Sequence, residues 1–266
     1  MLIKTFLRYF ILFQLFFIFI TSSVLHAQAA DTSFKWQKGE ELIYGVDWAF
    51  VRLGTVRVSN LGKVNINGHN ANHIKLVIES NPLLFWLNNQ SVYNSYVTDS
   101  MRIVRFVSDE KVDGTLYNAQ YDFDYTNDVL SLTLFDKENP DSTQHKTLPM
   151  EKDLIDGVSL IYYARANVHN VKRDTILTFM EDNKGDILFN FAGKREDVEI
   201  DSLQNPIDAF YFDGEILIEG IAGVTGPYES WFSTDEQHVP LLSYMEVFIG
   251  NVKIELEQWK NWTPRF

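Results

Sequence analysis

Apolar and polar residues alternate with a period of two along much of the chain, which is the pattern of half-buried antiparallel strands. The segments Leu42–Trp48, Ile74–Ile78, Tyr121–Tyr125 and Val252–Leu256 all show it. Each segment places apolar side chains on one face of a strand and more polar ones on the other. The sequence therefore predicts an all-β, mainly antiparallel fold.

Residues suited to tight turns separate several of these segments. Asn67-Gly68, the stretch from Asp182 to Gly185, and Asp213-Gly214 each stand between two strand-like runs. Asn and Gly tolerate the positive φ values that short hairpin turns require. We therefore predict hairpins at these three places, and a polar loop over residues 137–149.

The segment Met150–Asn167 has a helical pattern instead. Leu154, Val158 and Ile161 fall on one face, and acidic residues follow Pro149, as suits the start of a helix. We predict one main α-helix over about 151–167. Its wide apolar face predicts that it packs on or into a large curved sheet or partly closed barrel.

The first 29 residues resemble a secretory signal peptide rather than part of a fold. Lys4 and Arg8 precede the apolar run Tyr9–Ile20, and Ala27-Gln28-Ala29 has the small-x-small form of a cleavage site. The run is shorter than the roughly 20 residues that span a bilayer. We predict cleavage near Ala29/Ala30, export to the periplasm, no transmembrane segment in the mature chain, and a single β domain over 30–266.

Composition narrows the possible partners. The chain has no cysteine, which excludes a lipoprotein anchor, disulfides and thiolate metal sites. Losing Lys4 and Arg8 with the leader leaves 21 basic and 36 acidic residues, a net charge of −15. Nucleic acids and anionic membrane surfaces require a positive patch, so neither is an expected partner. We expect a soluble product.

The sequence offers no convincing catalytic group. Gly157-Val158-Ser159 begins like the nucleophile elbow of a hydrolase, but Ile161 stands where the last glycine is required. Ser159 also falls inside the predicted helix, where we expect it to pack against the sheet. No histidine shows a spacing that indicates a triad or a metal site. We expect no cofactor and favour a protein that is not an enzyme.

Aromatic residues supply the candidate binding site, because a curved sheet can enclose a small ligand. The alternative is that they fill a packed core. The candidates for contact with an apolar small molecule or lipid are Trp48, Phe85, Trp86, Tyr96, Tyr162, Phe210, Phe212 and Trp231.

Several motifs in order resemble one family of exported bacterial proteins, the domain of unknown function 3108. These motifs are Gly39–Val46, Leu53–Val56, Asp156–Arg165, Trp231–Asp235 followed by Val239-Pro240, and Gly250–Leu256. The resemblance implies a periplasmic Gram-negative protein with an antiparallel β fold, and it transfers no catalytic residue.

Three functions stay open on these grounds. The first is a carrier that binds an apolar or lipid-like ligand in a cavity of the curved sheet, an analogy to the envelope lipoprotein carriers. The second is a structural or protein-interaction module of the cell envelope. The third and least favoured is a hydrolase whose site is assembled from distant loops.

Overall fold

The computed structural model describes residues 34–84, 89–112, 115–135, 140–150, 154–180, 183–218, 225–247 and 250–266. The predicted signal peptide lies outside these residues. The strands are β1 (Glu41–Trp48), β2 (Val51–Ile66), β3 (His69–Ser80), β4 (Asn89–Val97), β5 (Ile103–Val112), β6 (Thr115–Asp124), β7 (Val129–Phe135), β8 (Gln144–Pro149), β9 (Ile155–Asp156), β10 (Val171–Met180), β11 (Asn183–Val198), β12 (Ile207–Ile216), β13 (Gly226–Ser233), β14 (Pro240–Glu246) and β15 (Asn251–Lys260).

These strands form one sheet in the order β8-β7-β6-β5-β4-β3-β2-β1-β15-β14-β13-β12-β11-β10-β9. The chain makes two antiparallel meanders, which are joined where the first strand pairs with the last. Among the described strands, only the short β9 runs parallel to its neighbour, β10. The sheet is not closed, because β8 and β9 stand at its two edges. The predicted all-β fold with a curved sheet is confirmed.

Aromatic contacts show how far the sheet curls. Phe179 on β10 lies within 6 Å of three rings on β5 and β6, with centroid distances of 5.7 Å to Phe106, 4.7 Å to Tyr121 and 5.8 Å to Phe123. The edge formed by β9 and β10 therefore packs across the inner face of β5 and β6. This overlap encloses a core although no hydrogen bonds close the sheet.

The helix α1 runs from Ser159 to Asn167 and lies inside the curve. The prediction of a helix from about 151 placed its start too early, since Ile155–Asp156 is strand and residues 151–153 lie outside the described part. Leu154 and Ile155 are buried as an extended segment. Ser159, predicted inside the helix, is its first residue. Within the described ranges no helix is long and apolar enough to cross a membrane.

Local turn chemistry predicted some hairpins and misplaced others. Asn67 and Gly68 form the two-residue turn between β2 and β3 with φ values of 50° and 83°, as predicted. The predicted turn at Asp213-Gly214 is wrong, because both residues lie inside β12. A Cβ at Gly214 would stand 1.9 Å from the carbonyl oxygen of Leu188 and 2.5 Å from the hydroxyl of Tyr228. Glycine is required there for close packing rather than for a turn.

Two other segments also differ from the prediction. Asn183 and Gly185, which we expected in a turn, lie in β11, and Asp182 lies outside the described residues. The predicted loop over residues 137–149 contains a short 3-10 helix, Pro140–Ser142, and the edge strand β8. The side chains of β8 are mostly exposed, so its sequence lacks the alternation that marks the other strands.

Candidate functional site

An apolar cavity of about 310 Å³, partly open to solvent, lies between α1 and the inner face of the sheet. None of the described residues that line it is charged. Its wall comes from α1, from β1 to β3 and from β10 to β15. The lining residues are Tyr44, Val46, Val56, Val58, Leu76, Ile78, Gly157, Leu160, Ile161, Ala164, Thr178, Ile187, Phe189, Phe212, Ile216, Ile218, Tyr228, Ser230, Phe232, Pro240, Leu242, Ser243, Met245, Val252 and Ile254.

Every hydroxyl group on the described part of the cavity wall is hydrogen-bonded within the protein. Tyr44 Oη donates to the carbonyl of Pro240 (3.1 Å), and Tyr228 Oη donates to that of Leu188 (2.9 Å). Thr178 donates to the carbonyl of Ile155 (2.6 Å), and the hydroxyls of Ser230 and Ser243 bond each other at 2.9 Å. Burial raises the pKa of both tyrosines, so both stay protonated.

One end of the curved sheet is filled by the second half of α1. We call it the plugged end. Arg165 forms a two-pronged ion pair with Glu40, with Nη1–Oε2 and Nη2–Oε1 distances of 2.6 and 2.7 Å, and both side chains are at most 1% exposed. The guanidinium also lies over the rings of Tyr162 and Phe34, 4.9 and 5.1 Å from their centroids. Trp36 stacks on Tyr162 at 4.8 Å. These contacts seal this end with packed side chains.

His238 is buried at the same end. Its Nδ1 lies 2.5 Å from the carbonyl oxygen of Arg165, which can only accept, so Nδ1 carries the hydrogen. Nε2 has no hydrogen-bond partner among the described residues. Burial lowers the pKa of His238 to about 4, and the positive charge of Arg165 and the nearby His169 contribute. The ring is therefore neutral at pH 7.

A buried polar cluster fixes the first turn of α1 to β4. Asp156 Oδ1 accepts the backbone N–H groups of Val158 (2.9 Å) and Ser159 (2.8 Å). Its Oδ2 accepts the hydroxyls of Ser95 (2.6 Å) and Ser159 (3.0 Å). Burial raises the pKa of Asp156, although all four hydrogen bonds favour the carboxylate. Asp156 thus satisfies helix N–H groups that would otherwise be unpaired inside the protein.

This cluster also explains why Ser159 is a poor nucleophile. Its side chain is 1% exposed, and its hydroxyl donates to the carboxylate of Asp156 rather than to a histidine, with Ser95 Oγ 2.8 Å away. A nucleophilic serine needs a general base and access to the substrate. In the described parts of the chain, no group of three or more His, Asp or Glu side chains is placed to hold a metal ion.

We expect Asp156→Ala to lower the free energy of unfolding by about 1–3 kcal/mol, because two backbone N–H groups and two hydroxyls lose a buried acceptor. Asp156→Asn keeps one acceptor oxygen and should restore part of this loss. Urea unfolding followed by circular dichroism measures both.

The matched control is Asp124→Ala. Asp124 accepts the backbone N–H groups of Thr126 and Asn127 in the same way, but on an exposed turn. Water replaces an exposed acceptor, so this variant should be the mildest of the three. Equal losses for Asp156→Ala and Asp124→Ala would contradict a capping role that depends on burial.

The structure places the eight aromatic candidates in different parts of the protein. Phe212 on β12 lines the cavity. Tyr162 and Phe210 are buried at the plugged end, where Tyr162 packs on Trp36 and Phe210 packs edge-on against His238 at 5.7 Å. Neither of these two is part of the cavity wall. The contact of Phe212 with a ligand remains a prediction.

The other candidates lie elsewhere. Trp48 is exposed at the end of β1. Tyr96 stacks on His73 at 4.4 Å, away from the cavity wall. Trp231 points to the outer face of the sheet, where its Nε1 donates to Glu196 at 2.6 Å. Phe85 and Trp86 lie outside the described residues.

Most of the cavity wall is aliphatic, and these aliphatic residues are not among the binding candidates that the sequence indicates. Val46, Leu76 and Ile254 all belong to alternating segments that predicted strands. The alternation shows which face of a strand is buried. It does not show whether the buried face meets another side chain or an empty space, since that depends on strands distant in sequence.

Comparison with solved structures places the fold among known β proteins. A β-barrel-like protein with the domain of unknown function DUF1849, from Brucella abortus, superimposes with a TM-score of 0.53 at 11% identity, over 84% of this chain and 97% of that one. A protein from Bacteroides fragilis, described as a putative exported protein with a YmcC-like fold, gives a TM-score of 0.35 at 9% identity over 86% and 99% of the two chains. The first likeness shows a shared fold alone.

Sequence comparison identifies the family. No curated protein matches the chain. The model of one family matches residues 43–257, from the start of β1 to near the end of β15, and it is described as a protein of unknown function (DUF3108). This range contains α1, the cavity wall and the Asp156 cluster. The chain belongs to the DUF3108 family.

Proposed function

We propose that this protein is an exported carrier that holds an apolar ligand, one hydrocarbon chain, in the cavity between α1 and the sheet. The observation that carries the proposal is the chemistry of the wall. The described residues of the wall include no charged side chain, and the hydroxyls of these lining side chains already have partners inside the protein. An apolar cavity of this kind does not hold water well and favours apolar occupants.

The size of the cavity narrows the ligand class. Its volume of about 310 Å³ is at the small end of the roughly 300–1,000 Å³ found for ligand pockets. One alkyl or acyl chain suits this space better than a lipid with several chains. A polar head group would have no partner on the wall, and would therefore stay outside the cavity.

The plugged end gives the cavity a fixed floor. Ala164 and Pro240 line the cavity near this end, just inside the buried pair of Arg165 and Glu40. A binding site works best when it is formed before the ligand arrives, because less order must then be created on binding. The rigid floor supports a carrier over a site that must assemble from loops.

A free sheet edge is the main support for the alternative, an envelope interaction module. β8 stands at one edge of the sheet and could in principle accept a strand from a partner. Its sequence discourages this, because it carries Lys146 and ends in Pro149. Lysine and proline on an edge strand are features that prevent strand addition. The cavity is therefore the better candidate site.

Two measurements test the carrier. Native purification followed by solvent extraction and mass spectrometry should recover a bound single-chain lipid or fatty acid. Binding of cis-parinaric acid, a fluorescent single-chain fatty acid, should weaken about tenfold in Ala164→Phe, because the new ring fills space that the chain needs. Ala164 is buried and lines the cavity from α1.

The matched control is Ala166→Phe, the same change two residues later on the same helix. Ala166 is half-buried and does not line the cavity, so its replacement should leave the affinity for cis-parinaric acid unchanged. Equal affinities for both variants, with nothing recovered by extraction from the parent, would contradict the proposal.

A further inference from the structure

Exposed apolar side chains concentrate at the end of the sheet opposite the plugged end. At this end β1 turns into β2, β12 ends and β14 turns toward β15. Among the described residues, seven of the ten exposed large apolar side chains lie here. We call four of them, Trp48, Phe50, Val51 and Leu83, the hairpin rim. Monomeric proteins rarely expose a group of large apolar side chains unless it contacts something.

The rim side chains project from the ends of strands. Phe50 is 104% exposed and Leu83 is 83% exposed, so neither rests on the protein surface. The backbone around each of these two residues is held by pairing or hydrogen bonds. Trp48 pairs with Val51 across the hairpin, and the backbone N–H of Leu83 donates to the side chain of Asn81, which itself bonds to β2. Apolar side chains that project separately can each insert into the acyl region of a lipid bilayer. They do not form the continuous surface that would pack against a groove of another protein.

The cavity reaches toward the same end. Val46 lines the cavity two residues before Trp48, and Val252, which pairs with Trp48 in the sheet, lines it too. Met245 lines it one residue before β14 ends. Residues that line the cavity therefore extend to the rim end, whereas α1 and its aromatic neighbours fill the opposite end.

The charges near the hairpin rim indicate which kind of lipid surface it could contact. Arg52 follows Val51 directly, but its Nε lies 2.7 Å from Asp47 and its Nη2 lies 2.5 Å from Glu257. Two carboxylates therefore offset this one cation. The chain as a whole has a formal net charge of −13. A surface with this balance gains nothing from anionic lipid, whose binding depends on clustered Lys and Arg.

We propose that the hairpin rim contacts the surface of a zwitterionic lipid bilayer, and that an apolar chain passes there between the bilayer and the cavity. Trp and Phe are favoured at the boundary between water and hydrocarbon, and Leu gains from entering the acyl region. The passage of the chain rests on the proposed carrier function. The contact of the rim with the bilayer does not.

The test is flotation with phosphatidylcholine vesicles, using the protein as it is purified after expression of the full sequence in a bacterial host. Phe50→Ser/Leu83→Ser should lower the partition coefficient about tenfold, because it removes the two most exposed rim side chains. The matched control is Leu61→Ser/Val171→Ser, which removes two exposed apolar side chains away from the rim. It should bind vesicles like the parent. Adding phosphatidylglycerol should not strengthen binding by the parent.

Three results would overturn the membrane contact. They are no vesicle binding by the parent, equal losses in the two double variants, or stronger binding by the parent when phosphatidylglycerol is added. If vesicle binding is absent, a dimer that the rim variant dissociates would identify a second copy of the chain as the occupant of the rim. Binding of cis-parinaric acid without vesicles separates the two proposals. The rim variant should keep the parent's affinity, whereas failure of the carrier would remove that binding from the parent itself.

Discussion

Replacing Arg165 with methionine is expected to lower the free energy of unfolding by about 3–5 kcal/mol, the largest effect of any single change considered for this chain. The guanidinium makes two hydrogen bonds to Glu40 and donates from Nε to the carbonyl of Gln237 at 2.9 Å. Methionine fills similar space but leaves the Glu40 carboxylate buried without its cation. Chemical denaturation at pH 7 measures the loss.

A double variant tests that the orphaned charge causes the loss. Glu40→Gln/Arg165→Met removes both charges, and should recover about 1–3 kcal/mol relative to Arg165→Met alone. Lys63→Met is the control for an exposed pair, since Lys63 lies 2.6 Å from Asp99 with both side chains more than half exposed. It should cost less than about 1 kcal/mol. Similar costs for Arg165→Met and Lys63→Met would contradict the role assigned to the buried pair.

The sequence could predict features that depend on neighbouring residues. Asn67 and Gly68 adopt the positive φ values that Asn tolerates and that Gly, without a Cβ, adopts freely, and this requires no information from the rest of the chain. The alternation in β1 likewise predicts a strand with Leu42 and Tyr44 on its buried face. Both features follow from local backbone geometry and a period of two.

Features that depend on distant contacts could not be predicted. Gly214 resembled a turn glycine, yet it serves the close approach of Tyr228 to the carbonyl of Leu188, 40 residues away in sequence. The helix start depends on Asp156, whose carboxylate is held by Ser95 from another strand. Pro149 and its acidic neighbours indicate an earlier start, because nothing local shows that Asp156 accepts the N–H groups of Val158 and Ser159.

The candidate site shows the same division. Phe212 was selected because it is aromatic and lies in a predicted strand, and it does line the cavity. Tyr162 met the same criteria, yet it packs beside the pair of Arg165 and Glu40, which are 125 residues apart. A pattern of side chains predicts burial, whereas the position of an empty space depends on how the whole sheet curls.

The pH dependence of stability is expected to depend strongly on His238. Its pKa in the folded protein is about 4, below the ordinary value of 6.5. Between these two values the unfolded chain binds a proton that the folded protein does not, so stability rises with pH across this window. As the pH falls from 6.5 to 4, this group alone should therefore remove about 3 kcal/mol from the free energy of unfolding.

His238→Asn should abolish this slope. Asn tolerates the positive φ of 44° at this position, and it cannot be protonated in this range. The variant loses ring packing, so it should be less stable than the parent at pH 7, and the difference should shrink toward pH 4. Denaturant unfolding at several pH values measures this, and His69→Asn, which changes an exposed histidine, is the control.

The comparison with the parent is needed because another buried group acts in the opposite direction. The pKa of Asp156 is raised by burial, so this carboxyl takes up a proton in the folded state first and favours folding as the pH falls. Asp156 is unchanged in His238→Asn, and its contribution therefore cancels in the difference between the two proteins.

A difference that stays constant from pH 7 to pH 4 would show that His238 is protonated as readily in the folded protein as in the unfolded chain. That result is physically unfavourable. Among the described residues Nε2 has no hydrogen-bond partner, so protonation would place an unpaired N–H in the plugged end.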